Sequence, residues 1–268
     1  ACVILGFNYV AVGNEHSANF GNGVFLQGDS GEQLEVNHQF DKSLEFECAF
    51  HDYVKEHIAS DVHHFSPLQN LWELQIVQLF VSDSQSYLDA FISCNNSSGS
   101  RSWCLRCEKC CFVFAILAAF LDIAHVTRIF GKNLLDDPSL LPRFRELIGE
   151  GSGDAIHATA TGEKPFECIG EPMEALAALA LARARWSNID STTGQQEGLA
   201  CLKHLSSALD RCNPEQVKLL LAHGPATSGQ AASGRELLPA WWRWPPSVLR
   251  GLAAAALEAE ARLLESRR

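Results

Sequence analysis

Cys94, Cys104, Cys107 and Cys110 stand at the spacing C-x9-C-x2-C-x2-C. Nothing else in the chain limits its fold so strongly. Two linked C-x2-C steps turn three thiols inward on a tight knuckle. The polar loop "NNSSGSRSW" then returns Cys94 as the fourth corner. Four thiolates at about 2.3 Å around one cation make a closed tetrahedron with no open position, so the pattern predicts a structural Zn(2+) site. The cation lowers thiol pKa values, so the ligands bind as thiolates. Arg101, Arg106 and Lys109 are expected to offset the excess negative charge. An iron–sulfur cluster uses a similar ligand set. Disulfides are the other alternative, but cysteines this close in a chain that reads as intracellular favour metal. Cys111 faces away from the ligands as a small buried apolar residue, and Cys2, Cys48, Cys201 and Cys212 are read the same way.

The rest of the chain has the means to fold around such a clip. With 268 residues and 47% hydrophobic content it can bury a sizeable core. The net charge of −11 argues against a nucleic-acid partner. A phosphorylated small molecule stays compatible, because it meets only its local pocket. No membrane span is expected: the longest apolar run, Cys110 to Leu121, has twelve residues before Asp122. The first residues lack the basic region of a signal peptide, so a cytoplasmic protein is expected, with an organelle lumen as the alternative. The chain opens with Ala1 inside an apolar stretch and its one Met is Met173, so it is expected to be a piece lacking an N-terminal part.

Local patterns place the elements. Ala1–Val12 reads as a buried strand running into the polar loop Gly13–Gly23, and Leu34–His38 as a second short strand. Glu45–Ile58 has helical spacing. Ser66 and Pro67 are an N-cap and first-turn pair for a helix over Leu68–Phe80. Phe112–Leu121 predicts an apolar helix, and Asp122 caps another that Gly131 ends. Asp137-Pro138 starts a helix stopped at Gly149. Glu171–Trp186 and Ser247–Arg268 read as helices, and Asn213 caps a further one closed by Gly224. Gly151–Gly162 and Thr227–Gly234 read as loops. Trp241, Trp242 and Trp244 form an aromatic knot that packs the last helix. That helix's Ala-rich face fixes no oligomeric state. Strand, polar loop and mixed helices together indicate an α/β architecture, in which ligands bind beyond the strand ends. Three regions are expected: 1–93, part of an α/β nucleotide-binding domain; 94–186, the clip and a helical region; and 187–268, a helical extension.

The segments "GNEHSANFGNG", "VNHQFDKSLEFE", "PLQNLWELQIVQLF", "SCN…WCLRCEKCCFVF", "IFGKNLLDD" and "EKPFECIGE" occur in that order. The clip resembles that of the cyano-deazaguanine synthases, which have an ATP-pyrophosphatase fold. The six segments together resemble the UDP-N-acetyl-alpha-D-muramoyl-L-alanyl-L-glutamate epimerase family, from about Val12 to about Glu171. The resemblance implies a partial ATP-pyrophosphatase-like (Rossmann-like) sheet with a zinc-clipped, helix-rich C-terminal half. It also implies a reaction: ATP- and Mg(2+)-dependent inversion of the terminal L-glutamate of a UDP-muramoyl dipeptide, supplying D-glutamate for peptidoglycan. An α-proton beside a carboxylate is very weakly acidic. Acyl-adenylate formation removes that charge, so that a base can take the proton and hydrogen-bond donors can hold the enolate. Such an enzyme needs a Ser-Gly-Gly-x-Asp-Ser type of phosphate loop. None occurs in these residues; "LQGDSG" (Leu26–Gly31) is a superficial echo that follows no strand pattern. This chain alone is therefore expected to be inactive. The alternatives are an adenylating ligase or amidase of the same fold, or a degenerate zinc-stabilised binding domain.

Within that frame the candidate residues divide by segment. Glu15 is a candidate Mg(2+) holder or base, and Asn14, Ser17 and Asn19 are candidates to grip glutamyl or phosphate groups; the plain alternative is a self-satisfied polar turn. His38 is a candidate proton carrier, with Asn37 and Ser43 binding substrate and Lys42 beside them. Ser43 ahead of Glu45 and Glu47 also reads as an N-cap and first turn. Lys132 and Asn133 are candidates for a phosphate, while Asp137 caps a helix. In "EKPFEC", Lys164 is a binding candidate and Cys168 a candidate base, resembling the paired cysteines of cofactor-independent amino-acid racemases. The alternative for Cys168 is a partly buried structural thiol. His51, His57, His63 and His64 are read as surface residues.

Overall fold

The computed structural model describes residues 2–21, 24–83, 85–96, 102–150, 168–187 and 200–222, together with 254, 257, 258 and 261–266. In chain order the regular elements are α1 (Cys2–Leu5), β1 (Tyr9–Ala11), β2 (Val24–Gln27), β3 (Gln33–Val36), α2 (Leu44–His57), β4 (His63–Phe65), α3 (Glu73–Asp83), α4 (Glu108–Ala118), α5 (Ile123–Phe130), α6 (Leu141–Leu147), α7 (Pro172–Ser187), α8 (Ala200–His204), α9 (Ser206–Asp210) and α10 (Pro214–Ala222). The molecule is a helix-rich mixed α/β protein. Its described strands form two small sheets: β1 runs parallel to β4 with Val10 opposite His64, and β2 pairs antiparallel with β3. No described helix is long and apolar enough to cross a membrane.

The first twelve residues do not form the expected buried strand. Cys2–Leu5 is a short helix closed by Gly6 at φ +72°, and only Tyr9–Ala11 is extended. Ile4 is 88% exposed. An apolar run becomes a buried strand only where a second layer covers it, and no described element covers this one. Strand β2 has no counterpart in the sequence reading, because all four of its residues are exposed and show no inward–outward alternation. "LQGDSG" is the tip of the β2–β3 hairpin: Gly28 N–H reaches the Glu32 carbonyl at 2.8 Å, and Gly31 takes φ +86°.

Helix α3 starts at Glu73, five residues later than the first residue of the expected helix. Ser66 caps only a turn: its Oγ accepts from Leu68 N–H at 3.2 Å and lies 2.6 Å from the Asn14 carbonyl. The Leu71 carbonyl is taken by His16 N–H instead of by the helix. Tertiary partners thus outcompete the local start signal.

Where caps meet no competition they act as the sequence indicates. Ser43 accepts from Phe46 N–H and opens α2. Asp122 accepts from His125 N–H at 2.8 Å, and Gly131 closes α5 in the left-handed region. Asn213 accepts from Glu215 N–H ahead of α10. The Asp137-Pro138 start yields one tight 3-10 turn before α6, with Gly149 at φ +77° after it.

The core is built around α4, whose residues Cys110–Ala118 are all buried. A helix apolar on every face must be enclosed, and α3, α5, α6 and α7 enclose this one. The buried alanines of α7, from Ala175 to Ala184, let it approach closely. Trp103 stacks on Phe130, and Phe114 meets the same ring edge-on at 5.0 Å. Arg143 joins α6 to α4 through Glu108 at 2.6 Å. Leu263, in the last described helical residues, also reaches this core. The expected loops at Gly151–Gly162 and Thr227–Gly234, the tryptophan knot and most of the final helix lie outside the described residues.

Glu174 ties two helix starts together. It is fully buried, accepts from Leu74 N–H near the start of α3 at 3.1 Å, and accepts from Glu171 N–H ahead of α7 at 3.0 Å. Those donors have no partner inside their own helices. Burial, then the Glu73 and Glu15 carboxylates, pushes Glu174 well above the usual carboxylate range. Gly170 lies beside it: an added Cβ would fall 2.6 Å from Glu174 Oε2 and 2.7 Å from Phe112 Cζ. Gly170→Ala is therefore expected to cost about 1–3 kcal/mol, read as a lower urea midpoint at unchanged slope. An unchanged midpoint would show that this corner has room to relax.

Candidate active site and metal centre

The Sγ atoms of Cys94, Cys104, Cys107 and Cys110 all lie within 4.8 Å of one another. Bonds of about 2.3 Å in a tetrahedron give edges of about 3.8 Å, and Cys104 Sγ and Cys110 Sγ are 3.7 Å apart. The knuckle forms because Leu105 accepts φ +64°, a conformation rare for a residue with a Cβ. Backbone N–H groups point at sulfur, Cys104 to Cys94 and Cys110 to Cys107, each at 3.4 Å. Cys107 also N-caps α4, so the thiol cluster and the core helix share one residue. Its interaction with the Cys110 thiol pulls Cys107 down to about 4, while the same contact pushes Cys110 up and burial pushes Cys94 up. Thiolates this close repel one another, and a bound cation would offset that charge. The four residues form a group able to hold a metal ion.

Other cysteines follow the burial reading in part. Cys111, Cys201 and Cys212 are buried, whereas Cys2 and Cys48 are only half-buried, and all ten cysteines are free of disulfides. Burial pushes the Cys201 thiol up to about 11. The expected charge-offsetting role of Lys109 does not appear. Its ammonium turns away to Glu73 Oε1 at 3.4 Å and to the Cys168 carbonyl at 2.5 Å. Arg106 is exposed, and Arg101 lies outside the described residues.

That Lys109 contact leads to a second cluster. Cys168 Sγ lies 3.3 Å from Lys42 Nζ and 3.7 Å from His38 Nε2. The three come from segments 126 and 130 residues apart. His38 sits in the turn after β3, Lys42 ends the following 3-10 turn (Phe40–Lys42), and Cys168 precedes α7. All three are half-buried, so the cluster is reachable from solvent. A thiol between an ammonium and an imidazole is a proton-transfer arrangement.

The remaining candidates are engaged locally. Glu15 is buried and accepts from Ser17 N–H at 2.5 Å and Ser17 Oγ–H at 2.6 Å. Asn14 is half-buried, and its carbonyl lies near Ser66 Oγ. Asn19 donates to the His16 carbonyl and accepts from Leu44 N–H at 2.7 Å. Asn37 donates to the Ala18 carbonyl and accepts from Gln39 N–H. Ser43 is the α2 cap. Lys132 pairs with Asp137 at 2.6 Å and helps hold that carboxyl down to about 2, while Asn133 caps Leu135 N–H. These side chains organise the walls of the loop between β1 and α2 and the turn before α6. Lys164 lies outside the described residues. The histidines expected at the surface also divide: His51 is buried with Nδ1 3.0 Å from the His64 carbonyl, while His57 is exposed.

Sequence reasoning did not single out Glu73, Gln69 or Glu174. "EPME" (Glu171–Glu174) carries the signal for the last: Pro172 at the first helical position and a Glu two residues on are a capping signature. Lys109 carried no local signal, since its partners lie in α3 and before α7.

Comparison with known proteins adds to this geometry. Residues 1–67 match the family model of the MurL N-terminal domain, and residues 90–208 that of the MurL C-terminal domain. A UDP-N-acetyl-alpha-D-muramoyl-L-alanyl-L-glutamate epimerase of Xanthomonas oryzae pv. oryzae is 38% identical over 194 residues, covering 69% of this chain and 39% of that protein. Epimerases of the same name from Salinispora tropica and a Micromonospora species are 38% identical over 183 and 176 residues, each covered to 36% of its own length. The chain thus spans well under half the length of these relatives. No solved structure matches it.

Proposed function

Since the chain belongs to the MurL family, we propose that it takes part in epimerising the terminal L-glutamate of UDP-N-acetylmuramoyl-L-alanyl-L-glutamate, a step of cytoplasmic peptidoglycan precursor synthesis. The observation that carries this reading is the match to both domain models, together with 38% identity to proteins named for that reaction. The ATP-pyrophosphatase-like architecture belongs to the proposal; the parallel β1–β4 pair is compatible with it. ATP with Mg(2+) supplies activation of the glutamyl carboxylate as an acyl-adenylate. The phosphate loop this requires does not occur in these 268 residues.

What this chain's residues contribute is proton handling and rigidity. Cys168 Sγ takes the α-proton, and His38 Nε2 exchanges protons with that sulfur. Two bases on opposite faces of one carbon stand about 6 Å apart, twice a hydrogen-bond reach. At 3.7 Å, Cys168 and His38 act as one unit on one face. The return proton comes from a different donor on the other face. Glu15, held by Ser17, shapes the loop instead of acting as base. The four-cysteine group fits zinc as a structural ion that fixes the start of α4, and with it Lys109.

The test supplies the dipeptide substrate and ATP to the full-length protein and reads the configuration of glutamate after hydrolysis. D-glutamate is expected from the full-length protein, and no pyrophosphate release from residues 1–268 alone. Amide or ester formation with glutamate still in the L form would replace epimerisation with ligation.

A further inference from the structure

We propose that Lys42 is the positioning residue that holds the Cys168 sulfur in place and activates it for proton transfer. This rests on the reading of Cys168 as the proton acceptor, and it names what makes a thiol able to serve. An ammonium beside a thiol stabilises the anion and raises the fraction ready to react at neutral pH. Lys42 Nζ stands 3.3 Å from Cys168 Sγ, within the reach of a hydrogen bond to sulfur.

Both partners are anchored from behind. Lys42 N–H donates to the Gln39 carbonyl at 2.8 Å, and the Lys42 carbonyl accepts from Gln69 Nε2 at 3.2 Å. Gln69 is 5% exposed and also donates to Glu47, which is 1% exposed. Cys168 is held by its carbonyl, which accepts from Lys109. The ammonium and the sulfur therefore meet because two rigid supports bring them together.

The charged and titratable groups around Cys168 come from every neighbouring element. His38 and Lys42 flank the sulfur. Lys109 of α4 lies at its backbone, with Glu73 of α3 paired to Lys109. Glu171 and Glu174 stand at the start of α7. Among the described residues, Lys42 is the cation in contact with the sulfur itself. In the reaction, a sulfur lone pair forms the S–H bond while the C–H electron pair moves into the activated carbonyl as an enolate. No oxidant or reductant enters, and the thiol is regenerated as thiolate when His38 removes the proton.

The test is alkylation of the folded chain by iodoacetamide, in which an S–C bond forms and iodide leaves. Peptide-resolved mass spectrometry reads the rate of labelling at Cys168 at pH 7. Lys42→Met and Lys42→Gln are each expected to slow that labelling about tenfold. Lys42→Arg, which keeps a cation, is expected to restore most of the rate. Equal rates for wild type and both neutral variants, with unchanged circular dichroism, would overturn the assignment. So would an equal loss in Lys42→Arg. The readout needs no substrate, so a failed epimerase assay with slowed labelling in the neutral variants would reject the proposed function and leave this inference standing.

Discussion

Cys110→Ser is expected to release the metal and to lower the melting temperature on the order of 10 °C. Wild-type protein purified without chelator should carry about one zinc per chain by elemental analysis, and the variant close to none. The size follows from where the residue sits. Cys110 is fully buried in the first turn of α4, the helix that α3, α5, α6 and α7 pack against. Structural zinc sites contribute folding energy outright. Losing one from a domain with its own core is among the few single changes that reach about 4–5 kcal/mol. For a chain of this size that corresponds to roughly 10–15 °C. Cys111→Ser is the control. It buries a hydroxyl where a thiol was, with a cost of about 1–3 kcal/mol, and keeps its zinc. Full metal content in Cys110→Ser would remove the clip from the account of this fold.

Cys168→Ala in the full-length protein is expected to lower kcat by a factor on the order of 10²–10⁴, the usual contribution of a positioned base. KM should change little, because the role proposed for the sulfur is confined to the proton transfer. The residue is half-buried, its described side-chain contacts are to Lys42 and His38, and its carbonyl contact to Lys109 survives the substitution. Stability should therefore fall by less than about 1 kcal/mol. His38→Gln should lose less, since Cys168 retains its contact with Lys42. A Cys168→Ala enzyme within about threefold of wild type would assign the proton transfer to another group.

The parts of this molecule that the sequence made legible share a physical trait: their signals are local. Asp122 and Gly131 bracket α5, Asn213 opens α10, and the cysteine spacing brings four sulfurs to one point. Each is decided within a few residues, or by a loop whose ends must meet. Where a local signal met a tertiary competitor it lost. Ser66 would start a helix in isolation, but its hydroxyl and amide serve Asn14 and Glu47. Strand β2 carries no alternation, because its four residues are all exposed among the described residues and no inward face is required. The site was half legible. Cys168 and His38 stood out by residue type, yet their encounter and the insertion of Lys42 depend on packing across more than a hundred residues. Lys109 pointed toward the clip in sequence and away from it in space.

The carboxyl shared by the starts of α3 and α7 bears on how the chain reaches this structure. Glu174 and Leu74 are 100 residues apart, and the clip, α4, α5 and α6 all lie between them. Closing so long an excursion carries a loop-closure cost, and contacts of such separation slow folding. Cys168 lies six residues before Glu174, so the carboxyl that joins the two helix starts also sets where the segment carrying Cys168 enters α7.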